Sequence, residues 1–210
     1  MVKTAVLVSG GGTNLQAILD SHLFGDLPNC ELTAVISSNP DAYALQRAQM
    51  AKVPTYVVDV SVFPNRQSFC NAILDKLHDL DIELVVLAGF LYVLSPAIVK
   101  EYSNRMINIH PSLIPAFCGD GYYGLRVHEE ALAYGAKISG ATAHFVTEEC
   151  DAGPIILQKP VLIQEGDTPK TLQRRIMEEA EWKILPEAIK LYCQGRLSVD
   201  GRIVHIAPEA

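Results

Sequence analysis

Ala5-Val6-Leu7-Val8-Ser9-Gly10-Gly11-Gly12-Thr13-Asn14 runs from an apolar segment through three glycines into a stretch of helical periodicity, and its reading decides the fold. Four consecutive apolar residues bounded by a glycine turn fit a strand buried on both faces, as inside parallel sheets. The glycines let backbone approach an anion, and the helix that follows offers unpaired N–H groups and the positive end of its dipole. Two standard phosphate motifs are excluded. No Lys-Ser/Thr follows the glycines, so this is not a P-loop. Leu15 stands where a dinucleotide fingerprint needs its third glycine, and the second apolar run ends in Ser37-Ser38-Asn39 without a ribose-binding acid. The loop suits one phosphate group, although a structural tight turn would use the same glycines.

Outward from this segment, short apolar runs alternate with helical patterns. Strands are expected at residues 5–8, 32–36, 55–58, 84–88 and 106–109, and helices near 14–23, 41–51, 66–80 and 96–102. Ser95-Pro96 supplies a capping hydroxyl before a first-turn proline. Residues 111–124, rich in Pro, Gly and Tyr, form a loop before a short helix at about 125–134. Two longer strands, 139–146 and 155–163, are joined by residues 147–154. Thr168-Pro169 starts a long helix that Pro186 is expected to kink or break, and weak alternation near 203–206 ends the chain. Without repeats, low-complexity tracts or linkers, residues 1–210 read as a single α/β domain. Its expected form is Rossmann-like, a mostly parallel twisted sheet with helices on both faces.

A chain of 210 residues can bury a substantial core. Its formal charge of −7, from 24 acidic and 17 basic residues, argues against coating nucleic acid. The five cysteines are widely spaced with no Cys-x-x-Cys, which fits reduced thiols in a cytoplasmic protein. No signal-peptide layout precedes the first strand, and the longest apolar stretch, 84–94, is too short to span a bilayer. No membrane partner is expected.

Asn108-Ile109-His110-Pro111-Ser112 carries the strongest chemical signal. In an extended segment Asn108 and His110 share one face while Ile109 points the other way, and Pro111 ends the strand there. An imidazole suits proton transfer near neutral pH, and a carboxamide can donate to a developing oxyanion. Asp151, if close, raises the imidazole pKa by favouring imidazolium. Together these are parts for acyl transfer without a covalent protein nucleophile. The bland alternatives are a hydrogen-bonded polar pair at a strand end and an ordinary turn acid before Ala152-Gly153-Pro154.

Other candidates carry less. His110, His128, His144 and Asp151 match no compact metal-ligand spacing, so no metal is expected. Nothing marks Cys118 or Cys150 as an activated thiolate. His144 reads as a hydrogen-bonded structural residue, and Trp182 as core. Ser112 lacks the Gly-x-Ser-x-Gly elbow of serine hydrolases.

Three blocks in order resemble the phosphoribosylglycinamide formyltransferase family of folate-dependent enzymes in purine synthesis. They are Val8-Ser9-Gly10-Gly11-Gly12-Thr13-Asn14-Leu15-Gln16-Ala17-Ile18, Asn108-Ile109-His110-Pro111-Ser112-Leu113-Ile114-Pro115, and Ser139-Gly140-Ala141-Thr142-Ala143-His144-Phe145-Val146 continuing to Asp151-Ala152-Gly153-Pro154-Ile155-Ile156. The resemblance covers essentially the whole chain. It implies a formyltransferase fold, with a phosphate-binding N-terminal half and a folate-binding C-terminal half. It assigns Gly12, Thr13 and Asn14 to the phosphate of glycinamide ribonucleotide, with Glu181 at the same substrate and Glu178 close by. It assigns Arg66, Phe90, Leu91, Tyr92, Val93, Leu94 and Asn108 to 10-formyltetrahydrofolate, together with the closing loop Thr147, Glu148, Glu149, Cys150 and Asp151. Asn108, His110 and Asp151 are its catalytic trio.

The implied mechanism is attack of the neutral substrate amine on the formyl carbon. Asn108 and a protonated His110 stabilise the oxyanion, and the proton reaches the folate nitrogen from His110 directly or through a water held by Asp151. The resemblance implies neither metal nor ATP, a protein that is a monomer or homodimer, and no nucleic-acid partner. Tyr92 and Ala116 depart from the family at positions often basic, which bears on the folate tail. Formyltetrahydrofolate hydrolase shares the motif but usually carries an extra N-terminal domain. Methionyl-tRNA formyltransferase adds a C-terminal domain of roughly 100 residues, against about 60 after Asp151 here. A non-catalytic nucleotide-binding module would need the glycine loop without the trio.

Overall fold

The computed structural model describes residues 1–209. β1 (Val2–Val8) leads through the glycine loop into α1 (Thr13–Leu23), followed by β2 (Cys30–Ser37), α2 (Tyr43–Met50), β3 (Thr55–Val57) and α3 (Arg66–Asp79). Next come β4 (Leu84–Leu87), α4 (Pro96–Glu101), β5 (Met106–His110), α5 (Leu125–Tyr134), β6 (Ile138–Phe145) and β7 (Ile155–Leu162). The chain ends with α6 (Pro169–Ile176), α7 (Trp182–Cys193), β8 (Leu197–Asp200) and β9 (Ile203–Ile206).

These strands form one sheet in the order β3-β2-β1-β4-β5-β6-β7-β9-β8. The pairs from β3 to β5 are parallel, β6 runs antiparallel to β5 and β7, and β8–β9 is an antiparallel pair. The fold is α/β with a mostly parallel sheet, as the strand–helix alternation requires. Period-two alternation sends Val6 and Val8 to one face and Ala5 and Leu7 to the other. Leu15, Ile18, Ala44, Ala48, Leu185 and Ile189 cover the first face, and Phe69, Ile73, Leu77 and Ile98 the second. From β1 the chain proceeds outward to β2 and β3, then returns to place β4 on β1's other side. The ends of β1 and β4 therefore flank a topological switch point, where such sheets open a crevice for ligands.

Three local expectations are corrected. The Ser95 hydroxyl makes no capping bond to α4; its backbone N–H donates to Cys70 Sγ at 3.2 Å, and Pro96 alone marks the start. α2 starts later than expected, at Tyr43, because Asn39 Oδ1 accepts from Asp41 N–H and holds a turn just before it. Pro186 lies inside α7 without ending it, and the irregularity is instead one π-helical turn at Met177–Glu181. A π turn widens the ladder by one residue and re-aims the side chains that follow. β8 was not expected from the sequence. Among the described residues no helix is long and apolar enough to cross a membrane.

Candidate active site

The Asn108/His110 alternation is realised at the end of β5. Ile107 and Ile109 point into the core on one face, while Asn108 and His110 share the other. Antiparallel pairing with β6 sets His144 opposite Asn108 and Thr142 opposite His110, so four polar side chains occupy one patch. His144 Nδ1 donates to the Phe145 carbonyl at 2.8 Å, which leaves Nε2 to accept from Asn108 Nδ2 at 3.2 Å. Thr142 Oγ1 donates to the Ser112 carbonyl and accepts from Ile114 N–H, pinning the loop that leaves His110.

The β6–β7 connection folds back to bring Asp151 onto this patch. Asp151 adopts φ +52°, and Gly153 packs so closely that a Cβ there would collide with the Phe145 carbonyl. Asp151 Oδ2 lies 3.3 Å from His110 Nδ1 and accepts from Gly119 N–H at 3.0 Å. Its Oδ1 lies 3.5 Å from Asn108 Nδ2 and 3.7 Å from His144 Nε2. Asp151, distant in the chain, thus joins Asn108 and His110 in a single cluster with His144.

The protonation of His110 differs from the expectation. Burial pushes the imidazole below its ordinary value and outweighs the raising pull of Asp151 and of the Phe117 carbonyl. Only 4% of His110 is exposed, so desolvation of the cation decides the balance. The balance therefore favours the neutral imidazole more than in an ordinary histidine. Its Nε2 donates to the Phe117 carbonyl at 2.9 Å, so the bare nitrogen is Nδ1, beside Asp151. Burial pushes the Asp151 carboxyl up, but the polar groups that face it, Gly119 N–H among them, hold it below the usual carboxylate value.

At the glycine loop, Gly12 sits at φ +73° with a Cβ position only 2.7 Å from Ala44 Cβ, so glycine is required by both backbone and space. No side chain caps α1, which leaves its first-turn N–H groups directed out of the loop. Asn14 Nδ2 donates to Glu181 Oε2 at 2.6 Å, and Asn14 Oδ1 is buried with no protein donor. The π turn aims Glu181 inward, where burial pushes its carboxyl up to about 7 against the lowering bond from Asn14. Glu178 is not brought here. It lies on the outer surface, accepting from Arg174 at 2.7 Å.

The segment after β4 emerges beside Asn108, which pairs with Leu87. Leu91, Tyr92 and Val93 are exposed apolar side chains, and Leu94 is buried. Phe90 and Tyr92 pack on Phe69 of α3, with centroids 6.3 and 5.5 Å away. Arg66 is exposed one helical turn before Phe69, and Ser9 Oγ accepts from Leu91 N–H, tying the segment to the glycine loop. This gives a flat apolar shelf bordered by a cation. Thr147, Glu148, Glu149 and Cys150 lie in the connection that leads to Asp151, with Thr147 Oγ1 donating to the Glu149 carbonyl. Burial raises the Cys150 thiol to about 11, with Asp151 adding to it, and burial also raises Cys118. Neither is an activated nucleophile.

His144 is hydrogen-bonded, as expected, and Trp182 departs from its expected place in the core. His144 is a direct partner of Asn108, a role visible only once β5 and β6 are known to pair antiparallel. Trp182 is only partly buried and lines a cavity of about 330 Å3 with Thr13, Gln16 and Arg47. That cavity opens along α1 beside the glycine loop and not over His110.

Comparison with known proteins identifies relatives of the whole chain. Residues 2–189 match the family described as formyl transferase. The chain is 39% identical to phosphoribosylglycinamide formyltransferase of Haemophilus influenzae, over 100% of this chain and 96% of that protein. It is 40% identical to the trifunctional purine biosynthetic protein adenosine-3 of Homo sapiens, over 99% of this chain but only 20% of that protein. The chain thus spans about a fifth of the length of the first trifunctional relatives it matches. Among solved structures, glycinamide ribonucleotide transformylase 1 from Symbiobacterium toebii superposes with a TM-score of 0.93 at 44% identity, covering 99% of this chain and 95% of that one.

Proposed function

This chain belongs to the formyl transferase family, and we propose that it transfers the formyl group of 10-formyltetrahydrofolate to the amine of glycinamide ribonucleotide. The products are formylglycinamide ribonucleotide and tetrahydrofolate. One observation carries the reading: His110 Nδ1 lies 3.3 Å from Asp151 Oδ2, and the Asn108 carboxamide lies 3.5 Å from the same carboxyl group. The glycine loop and Glu181 offer a phosphate cradle and a hydroxyl acceptor for the ribonucleotide. The apolar shelf of Phe90–Leu94, with Arg66, offers a ring-binding surface and a cation for the folate.

The neutral amine attacks the formyl carbon, forming a C–N bond and placing negative charge on the formyl oxygen. Asn108 stabilises that oxyanion with the Nδ2 hydrogen that makes only a 3.5 Å contact to Asp151, since the other is committed to His144. His110 Nδ1 accepts the proton released by the attacking nitrogen, and Asp151 stabilises the imidazolium that results. His110 then returns this proton to the departing folate nitrogen as the old C–N bond breaks. The imidazole is thus neutral at the start and charged only in the intermediate, so its depressed pKa favours returning the proton.

The reading is tested with purified protein and 10-formyltetrahydrofolate, with and without glycinamide ribonucleotide. Release of tetrahydrofolate that requires the amine supports it. Equal release without the amine indicates hydrolysis, and no release in either case rejects the proposed reaction.

A further inference from the structure

The glycine loop is held from behind by α2. Ala44 N–H donates to the Gly10 carbonyl at 3.1 Å, and Arg47 Nε donates to the Gly11 carbonyl at 2.8 Å. In a trans peptide the carbonyl and the following N–H point in opposite directions. Both contacts therefore turn the Gly11 and Gly12 N–H groups away from α2, toward the open side of the loop. The Arg47 guanidinium is itself held on three sides. Nη1 donates to Gln16 Oε1 at 2.9 Å, and the Tyr43 ring lies 5.0 Å from Cζ. Among the described residues Arg47 forms no ion pair: Gln16 stands between it and Asp20, to which Gln16 Nε2 donates at 2.8 Å. A cation with no directly paired carboxylate thus borders the loop and shares the cavity with Thr13, Asp20 and Trp182.

We propose that Arg47 is a positioning residue for the substrate phosphate. By gripping the Gly11 carbonyl it aims the Gly12 N–H at the phosphate, and it adds positive charge at the rim of the cradle. The inference rests on the phosphate-loop reading above and deepens it. A planar fork is needed because two acceptors, Gly11 O and Gln16 Oε1, must be held at once, which an ammonium on a flexible stem does poorly.

The test compares wild type with Arg47→Met and Arg47→Lys, using glycinamide ribonucleotide and the same compound without its phosphate. Arg47→Met is expected to raise KM for the ribonucleotide about tenfold while kcat changes little, as loss of one charge-assisted phosphate interaction implies. KM for the riboside should stay unchanged, and Arg47→Lys should restore only part of the loss. An unchanged ribonucleotide KM, or the same loss with both compounds, overturns the proposal. Titration with inorganic phosphate, followed at the Gly12 amide by NMR, separates this inference from the reaction itself. A shift in wild type that weakens in Arg47→Met supports the proposal even if no formyl transfer is detected. No shift in wild type, or equal affinity in both proteins, overturns it.

Discussion

Asn108 and His144 face each other across the antiparallel β5–β6 pair, with 3.2 Å between Asn108 Nδ2 and His144 Nε2. The contact is directional because His144 Nδ1 is committed to the Phe145 carbonyl. His144 thereby orients the carboxamide, whose other hydrogen serves the oxyanion in the proposed mechanism. Replacing it with Phe keeps an aromatic ring but removes the acceptor. His144→Phe should lower kcat by about 10²-fold, in the range that loss of catalytic alignment produces. Circular dichroism should show the fold retained, and an unchanged kcat would remove His144 from the mechanism.

His110→Ala should reduce kcat by roughly 10²–10⁴-fold, the usual contribution of a positioned acid–base group. The pH profile is more diagnostic. In the proposed mechanism His110 acts as a base, so kcat/KM in wild type should fall as pH drops through a value below 6.5. Asp151 pulls that value up, and its removal should move the acidic limb of the residual activity further down. An Asp151→Asn profile displaced toward higher pH would contradict the assignment.

Glu181 links binding to stability. Its carboxyl titrates at about 7 when folded and at its ordinary 4.5 when unfolded. Stability from the protonated form is full below 4.5 and is lost as pH rises through about 7. Glu181→Gln escapes this loss and should exceed wild type by up to about 3 kcal/mol at pH 8, with no difference at pH 4. Urea unfolding at both pH values measures the gap. The same variant should bind glycinamide ribonucleotide more weakly, because an anionic acceptor is gone.

His128, fully buried on α5 with neither ring nitrogen bonded to protein, acts with the opposite sign. Burial lowers its pKa to about 4, with nearby His110 adding to the effect. The stability of the neutral form is present above 6.5 and is lost as pH falls toward 4. His128→Leu should flatten acid unfolding, gaining up to about 3 kcal/mol on wild type between pH 7 and 4. Parallel acid limbs in urea unfolding would show that His128 is not the group responsible.

Much of the site was legible in the residues. The Asn108-x-His110 spacing places both side chains on one face in any extended backbone, and Pro111 stops the strand where they are needed. Gly10-Gly11-Gly12 before a helical pattern marks a tight turn at a helix N-terminus, the proposed phosphate site, without reference to the rest of the chain. Glu178 and Glu181 could not be separated in this way. On a regular helix both lie on one face, and only the π turn sends Glu181 inward and leaves Glu178 with Arg174. Pro186 drew attention to the wrong turn, because a helix interior buried on the sheet tolerates it while the ladder widens one turn earlier.

Local periodicity determined the strand–helix alternation, the glycine turn and the shared face of Asn108 and His110, since each depends only on dihedral preferences of adjacent residues. Tertiary structure decided which distant groups complete them. Asp151 reaches His110 through a connection that folds back over β5, His144 meets Asn108 through strand pairing, and Arg47 reaches Gly11 from a separate helix. It also decided the charge of His110. The Asp151 carboxylate could be anticipated as a neighbour, but desolvation depends on everything packed around the ring, and here it outweighs that single charge.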